Sequence, residues 1–98
     1  MSDKAVRARV TGHVQGVGFR QGCRQIARSL GLVGWVRNLQ DGSVEVFAQG
    51  TSDSIDGLVT WLWSGPSAAR VTGVESDSVS ADFTLRDFFI HPNPSKAD

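Results

Sequence analysis

The 98-residue sequence has no excess of either charge, because ten Lys+Arg balance ten Asp+Glu. A nucleic-acid-binding domain of this size ordinarily carries a basic surplus, so a polyanion partner is not expected. Any anion site must be built locally. No stretch approaches the roughly 18 apolar residues of a membrane span. The start, Met1-Ser-Asp-Lys-Ala-Val-Arg-Ala-Arg-Val10, lacks the apolar run of a secretory signal, and no membrane partner is expected. Cys23 is the single cysteine and has no internal disulfide partner, which fits a reducing cytoplasm. One Cys and two distant His make no metal cluster, so neither metal nor cofactor is expected. No internal repeat or low-complexity segment is present. The length suits one domain, residues 1–98, because two halves would each lack a sufficient core. Loose ends are expected at about 1–4 and 92–98.

What is present alternates and repeats with clear periods. Val6, Ala8 and Val10 alternate with Arg7, Arg9 and Thr11, the period-2 pattern of a half-buried strand. A glycine-rich loop follows, and then Cys23, Ile26, Ala27 and Leu30 recur at helical spacing. Gly31 stops that helix at the position after its C-cap. Val33 to Asn38 reads as a second strand, and Val44, Val46 and Ala48 mark a third. Asp41-Gly42 between them signals a hairpin, since both residues tolerate the positive φ that tight turns require. Ser52-Asp-Ser54 offers caps for a second helix with the stripe Ile55, Leu58, Val59 and Leu62. Gly65-Pro66 ends it. Arg70 to about Ser76 is a fourth strand, Ser76 to Asp82 a polar loop, and Phe88-Phe-Ile90 a short last strand. Pro92-Asn-Pro94 ends regular structure. Trp61 and Trp63 fall off the helix stripe and are expected to cover the sheet margins.

This order predicts an α+β, ferredoxin-like βαββαβ sandwich with a mixed sheet, two helices on one face and an added C-terminal strand. Strand one crosses through a helix to strand two, and strand three, paired by the hairpin, can lie between them. Strands one and two then run parallel, so the glycine loop leaving one and Asn38 ending the other meet at one edge.

The loop has the chemistry of an anion cradle. Gly16 and Gly18 let the backbone bend so that successive N–H groups point inward. The loop runs into a helix N-terminus, whose unpaired N–H groups and dipole favour negative charge. Arg20 sits at that junction with a planar guanidinium suited to two phosphate oxygens. Standard phosphate motifs are excluded: a P-loop needs Gly-Lys-Ser/Thr, and the dinucleotide fingerprint needs a third glycine where Gln21 stands. On spacing alone, a tight strand-to-helix turn with an incidental arginine explains the loop equally well.

Gly12-His-Val-Gln-Gly-Val-Gly-Phe-Arg20 resembles the first signature of the acylphosphatase family. Gly34-Trp-Val-Arg-Asn-Leu-Gln-Asp-Gly-Ser-Val-Glu-Val-Phe-Ala-Gln-Gly50 resembles the second. Order and separation match, and the similarity spans nearly the whole chain, fading after about Asp77. The resemblance implies hydrolysis of acyl phosphates, with Arg20 as the substrate-binding arginine and Asn38 as the residue that positions water. It also implies that the backbone amides of Gln15, Gly16, Val17, Gly18 and Phe19 bind the phosphate. These positions show no departure; Gly18 stands where some members carry Cys. His13 fills a variable loop position and is expected to be solvated, and His91 lies far along the chain from both motifs.

The residues offer no protein nucleophile, since Cys23 falls on the helix stripe and no Ser–His or Cys–His arrangement is near. No carboxylate pair accompanies Arg20. Direct in-line attack of water on phosphorus is therefore expected, with positioning and charge stabilisation carrying most of the load. A small acyl phosphate is the expected partner, a monomer the expected state and the cytoplasm the expected location. Three other readings stand beside this one. The first is a non-catalytic anion-binding module on the same scaffold. The second is single-stranded RNA binding on the open sheet face, for which only Phe47 offers a ring. The third is the acylphosphatase-like module of larger hydrogenase-maturation proteins, whose zinc-finger cysteines this sequence lacks.

Overall fold

Period and capping chemistry place each element close to where the sequence puts it. The computed structural model describes residues 3–92. In chain order they form β1 (Lys4–His13), α1 (Phe19–Ser29), β2 (Val33–Asn38), β3 (Val44–Gly50), α2 (Ser52–Ser64), β4 (Arg70–Ser78) and β5 (Phe88–Ile90). The expected loose ends and the Pro92–Pro94 stop lie largely outside the described residues, although Lys4 already belongs to β1.

The five strands make one sheet in the order β4-β1-β3-β2-β5. β3 is the hub: it pairs antiparallel with β1 and with β2, so those two run parallel to each other. β5 lies parallel to β2, with Val36 opposite Ile90. Both helices cover one face. Val6, Ala8, Val10, Val36, Val46 and Ala48 point to that face and meet Cys23 and Ala27 of α1 and Ile55, Leu58 and Leu62 of α2 in one core. The ferredoxin-like sandwich is thus present, with β5 as the extra strand.

Several local details differ from the sequence reading. The N-cap of α2 is Thr51, whose Oγ1 accepts from the Ser54 amide at 3.2 Å, rather than a residue of the Ser52–Ser54 run. β4 continues to Ser78, so only the later part of Ser76–Asp82 is loop. Ser76, Asp77 and Ser78 pair with Ala8, Arg7 and Val6, and polar side chains suit an edge strand open to water. Trp61 covers no sheet margin. Its ring lies 5.2 Å from that of Phe19, and a Cβ at Gly22 would come within 2.9 Å of it, so Gly22 admits the ring between the helices. Trp63 is exposed. At the hairpin only Gly42 takes positive φ, because five residues separate β2 from β3 and Asp41 serves as a hydrogen-bond acceptor instead. The α1 terminus closes as expected, with Gly31 N donating to Arg28 O and Leu32 N to Ala27 O.

The outer sheet face carries more rings than Phe47. Trp35 stacks on Phe47 at 5.9 Å and on His91 at 4.9 Å, and Phe89 lies 5.0 Å from His91. Beside them a row runs Glu75, Arg9, Glu45 and Arg37 across four strands.

The core leaves no slack at Leu58, which is fully buried. Leu58→Ala should cost about 2–5 kcal/mol. For a domain of this size that is a fall in Tm of roughly 8 °C or more. A thermal melt displaced by less than about 4 °C would contradict this account of the core.

Candidate active site

β1 ends at His13, and Val14–Gly18 cross from the sheet to the first turn of α1. Gly16 and Gly18 take φ of 74° and 80°, a conformation side-chain-bearing residues adopt at a cost. Gly18 is also the N-cap of α1, and it has no side chain to satisfy the first-turn amides. Consequently the amides of Gln15, Gly16, Val17, Gly18, Phe19 and Arg20 donate to no acceptor among the described residues. Six successive free N–H groups at a helix N-terminus can serve as an anion nest, and the helix dipole adds to it.

A cavity of about 180 Å³ opens at this nest, lined by Val14, Gly16, Gly18, Phe19, Arg20, Gln21 and Ile90. Phe19 and Val14 form its apolar floor, since both are also core residues. Arg20 is half-buried. Whereas Arg9, Arg28 and Arg37 each pair with a carboxylate, Arg20 has no such partner among the described residues. Its guanidinium remains available to an anion. The structure therefore brings Gly16, Gly18, Phe19 and Arg20 to one cavity. Val17 leans onto the core beside it.

Asn38 is the last residue of β2 and does not line that cavity. It shares the helix-facing side of the strand with Val36, and β3 holds its level: Val44 pairs with Asn38 on one side and with Val10 of β1 on the other. The side chain is buried, and its Oδ1 has no hydrogen-bond partner among the described residues. Buried amide oxygens ordinarily have a donor, so this one is an unused acceptor. It can accept from a water molecule.

The contact that joins the two halves escaped the sequence reading. Gln15 was singled out for its backbone amide, yet its side chain turns away from the cavity. Nε2 donates to Leu39 O at 2.8 Å and to Ser43 O at 3.0 Å. The hairpin it grips is braced in turn. Asp41 accepts from the Ser43 amide at 3.0 Å and from Ser43 Oγ at 2.5 Å, and Arg9 reaches Asp41 at 2.7 Å. These hydrogen bonds from Ser43, with the Arg9 charge, hold the Asp41 carboxyl down at about 2. Ile90 and Gln21 were also missed. Ile90 reaches the cavity only because β5 lies beside β2, a pairing without a sequence signal.

The remaining candidates sit elsewhere. Cys23 is fully buried, and burial pushes its thiol up to about 12, which makes it inert as a nucleophile. His13 is exposed at the end of β1, and His91 is stacked on Trp35 at the outer face. Among the described residues no three His, Cys, Asp or Glu side chains converge as metal ligands.

Comparison with known proteins identifies the family of the fold. The acylphosphatase family model matches residues 6–90. An acylphosphatase of Chromohalobacter salexigens is 52% identical over 77 residues, 79% of this chain and 86% of that protein. The structure of an acylphosphatase from Coxiella burnetii superposes with a TM-score of 0.85 at 41% identity, covering 91% of this chain and 93% of that one. Full-length HypF in its phosphate- and nucleotide-bound form contains a similar unit, with TM-score 0.86 and 26% identity. That match covers 94% of this chain but 12% of HypF. The chain belongs to the acylphosphatase family, and it is a hydrolase of that class.

The depressed pKa of Asp41 gives a pH dependence with a definite sign. Its ionised form is favoured by folding, so its contribution is complete above the ordinary carboxyl value of 3.8 and is lost as pH falls through about 2. Asp41→Asn should therefore melt below the parent protein at pH 7, and the two curves should converge as pH approaches 2. A gap in Tm that stayed constant over that range would contradict the assignment.

Proposed function

We propose that this enzyme hydrolyses small acyl phosphates to a carboxylate and inorganic phosphate by direct attack of water on phosphorus. The observation that carries the reading is the run of free amides from Gln15 to Arg20, next to an arginine without a carboxylate partner among the described residues. The amides of Gln15, Gly16, Val17, Gly18 and Phe19 and the Arg20 guanidinium hold the phosphoryl oxygens. Asn38 Oδ1 accepts a proton-side hydrogen bond from the attacking water and so aims its lone pair at phosphorus. The new P–O bond forms as the bond to the acyl oxygen breaks, and the carboxylate leaves without a general acid because it is a stable anion. The proton passes from water to a phosphate oxygen of the substrate.

Such a site supplies little covalent chemistry; it supplies position and opposite charge where charge develops. Recognition confined to the phosphate predicts breadth on the acyl side, with acetyl phosphate, carbamoyl phosphate and 1,3-bisphosphoglycerate all acceptable. Every group in the scheme comes from one chain, so a monomer is the working unit. A cytoplasmic location follows from the unpaired thiol and is part of the proposal. Among the described residues no helix is long and apolar enough to cross a membrane. Nucleic acid is not part of it either: the outer-face arginines alternate with Glu75 and Glu45, and Arg37 pairs with Glu45 at 2.7 Å, so a polyanion would meet repulsion there.

The test is hydrolysis of benzoyl phosphate by the purified protein in the presence of EDTA. Chelator-insensitive turnover is expected. Arg20→Ala should lower it by at least roughly 10²–10³, the effect of losing one transition-state donor, and should also weaken phosphate inhibition. Asn38→Ala should lower kcat while the phosphate inhibition constant stays nearly constant. Full turnover in Asn38→Ala would remove the water-positioning role. Phosphate binding through Arg20 without any turnover would leave an anion-binding module in place of the proposed mechanism.

A further inference from the structure

We propose that the carboxamide of Gln15 is a positioning residue that sets the spacing between the phosphate cradle and the Asn38 water site. The inference rests on the function proposed above and assigns a role to the Gln15 side chain, apart from its backbone amide. Asn38 and the cradle belong to different segments of chain, and β3 lies between their strands. The sheet ladder fixes the level of Asn38, but Val14–Gly18 lie beyond the end of β1 and have no ladder partner. Packing of Val14, Val17 and Phe19 holds this loop from below, but its amides make no hydrogen bonds to fix it sideways. In-line attack tolerates little such freedom, because misplacement by about 1 Å can cost 10²-fold in rate.

Gln15 removes that freedom. Its Nε2 has two N–H donors, and both are used, on Leu39 O at 2.8 Å and Ser43 O at 3.0 Å. Leu39 directly follows Asn38, so the bond clamps the loop to the residue next to the water-holding side chain. The two acceptors also define the hairpin closure, since Leu39 N donates to Ser43 O at 2.9 Å. Behind the clamp, Asp41 holds Ser43 and Arg9 holds both. The brace therefore runs from the phosphate loop through Gln15 to the hairpin and back to β1, the strand from which the loop departs. The neutral amide presents two donors to two carbonyls, whereas a carboxylate would face them with like partial charge.

The experiment measures kcat and the phosphate inhibition constant for Gln15→Ala, Gln15→Glu, Asn38→Ala and the double variant Gln15→Ala/Asn38→Ala. Gln15→Ala should lose about ten- to a hundredfold in kcat with the phosphate constant changed by less than about twofold. On the Asn38→Ala background the same change should have almost no further effect on kcat, because the group it positions is gone. Gln15→Glu keeps size and shape and carries the test even if the alanine variant folds poorly. It should be impaired at pH 7 and regain kcat relative to the parent as pH falls toward about 4, where a protonated carboxyl can again donate. Unchanged kcat in Gln15→Ala, or equal losses on both backgrounds, would overturn the positioning role. So would a loss confined to phosphate affinity. The proposed function fails separately, by absence of benzoyl phosphate hydrolysis in the parent protein.

Discussion

The geometry of the site depends on the register of β3 between β1 and β2. Val44 lies opposite Val10 on one side and Asn38 on the other, and this single rung sets the height of Asn38 relative to the strand that launches the anion loop. A slip of two residues would move Asn38 by roughly 7 Å along the sheet, and a slip of one would turn it out of the core face. The register is protected because β3 buries Val44, Val46 and Ala48 against the helices, so either slip would expose apolar surface or bury Glu45. Core packing thus does the work of aiming a polar side chain.

Electrostatics follow the same division of labour. In a chain without net charge, three arginines near the site's strands and helix are neutralised locally: Arg9 by Asp41, Arg28 by Asp87 and Arg37 by Glu45. The exposed pairs, Arg9–Asp41 and Arg28–Asp87, contribute little to stability individually. Their effect is to leave Arg20, beside the free loop amides, as the cation of the cavity. In the proposed reading the cavity binds phosphate through its own donors, without a surrounding field of one sign. The free amides cost folding energy that a buried loop would not tolerate. They persist because Phe19, Val14 and Val17 anchor the loop to the core from below while Gln15 ties its side.

Much of the fold was legible because amphipathic periods report burial directly. The stripes of α1 and α2 and the alternation of β1 and β3 all matched the observed core, as did the hairpin after β2. The errors have specific physical sources. Ser76–Ser78 look like loop, yet an edge strand exposes its side chains and needs no apolar pattern to pair with β1. Thr51 caps α2 although Ser52 and Ser54 are equally competent chemically, since only backbone geometry decides which oxygen reaches an amide. Trp61 follows no stripe because its place depends on Gly22 of the other helix.

The candidate site divides in the same way. Sequence alone determined the groups that bear chemistry: glycines able to take positive φ at 16 and 18, a guanidinium at Arg20, a carboxamide at Asn38, and a βαββαβ order that brings their two segments to one edge. Those properties are local, or follow from element order. Tertiary structure alone decided that Ile90 closes the cavity, that Trp35 and His91 join Phe47 on the outer face, and that Asn38 keeps an unpartnered oxygen. It also decided that Gln15 spends its side chain on the carbonyls of Leu39 and Ser43. Each of these is a relation between segments far apart in the chain, which no local pattern encodes.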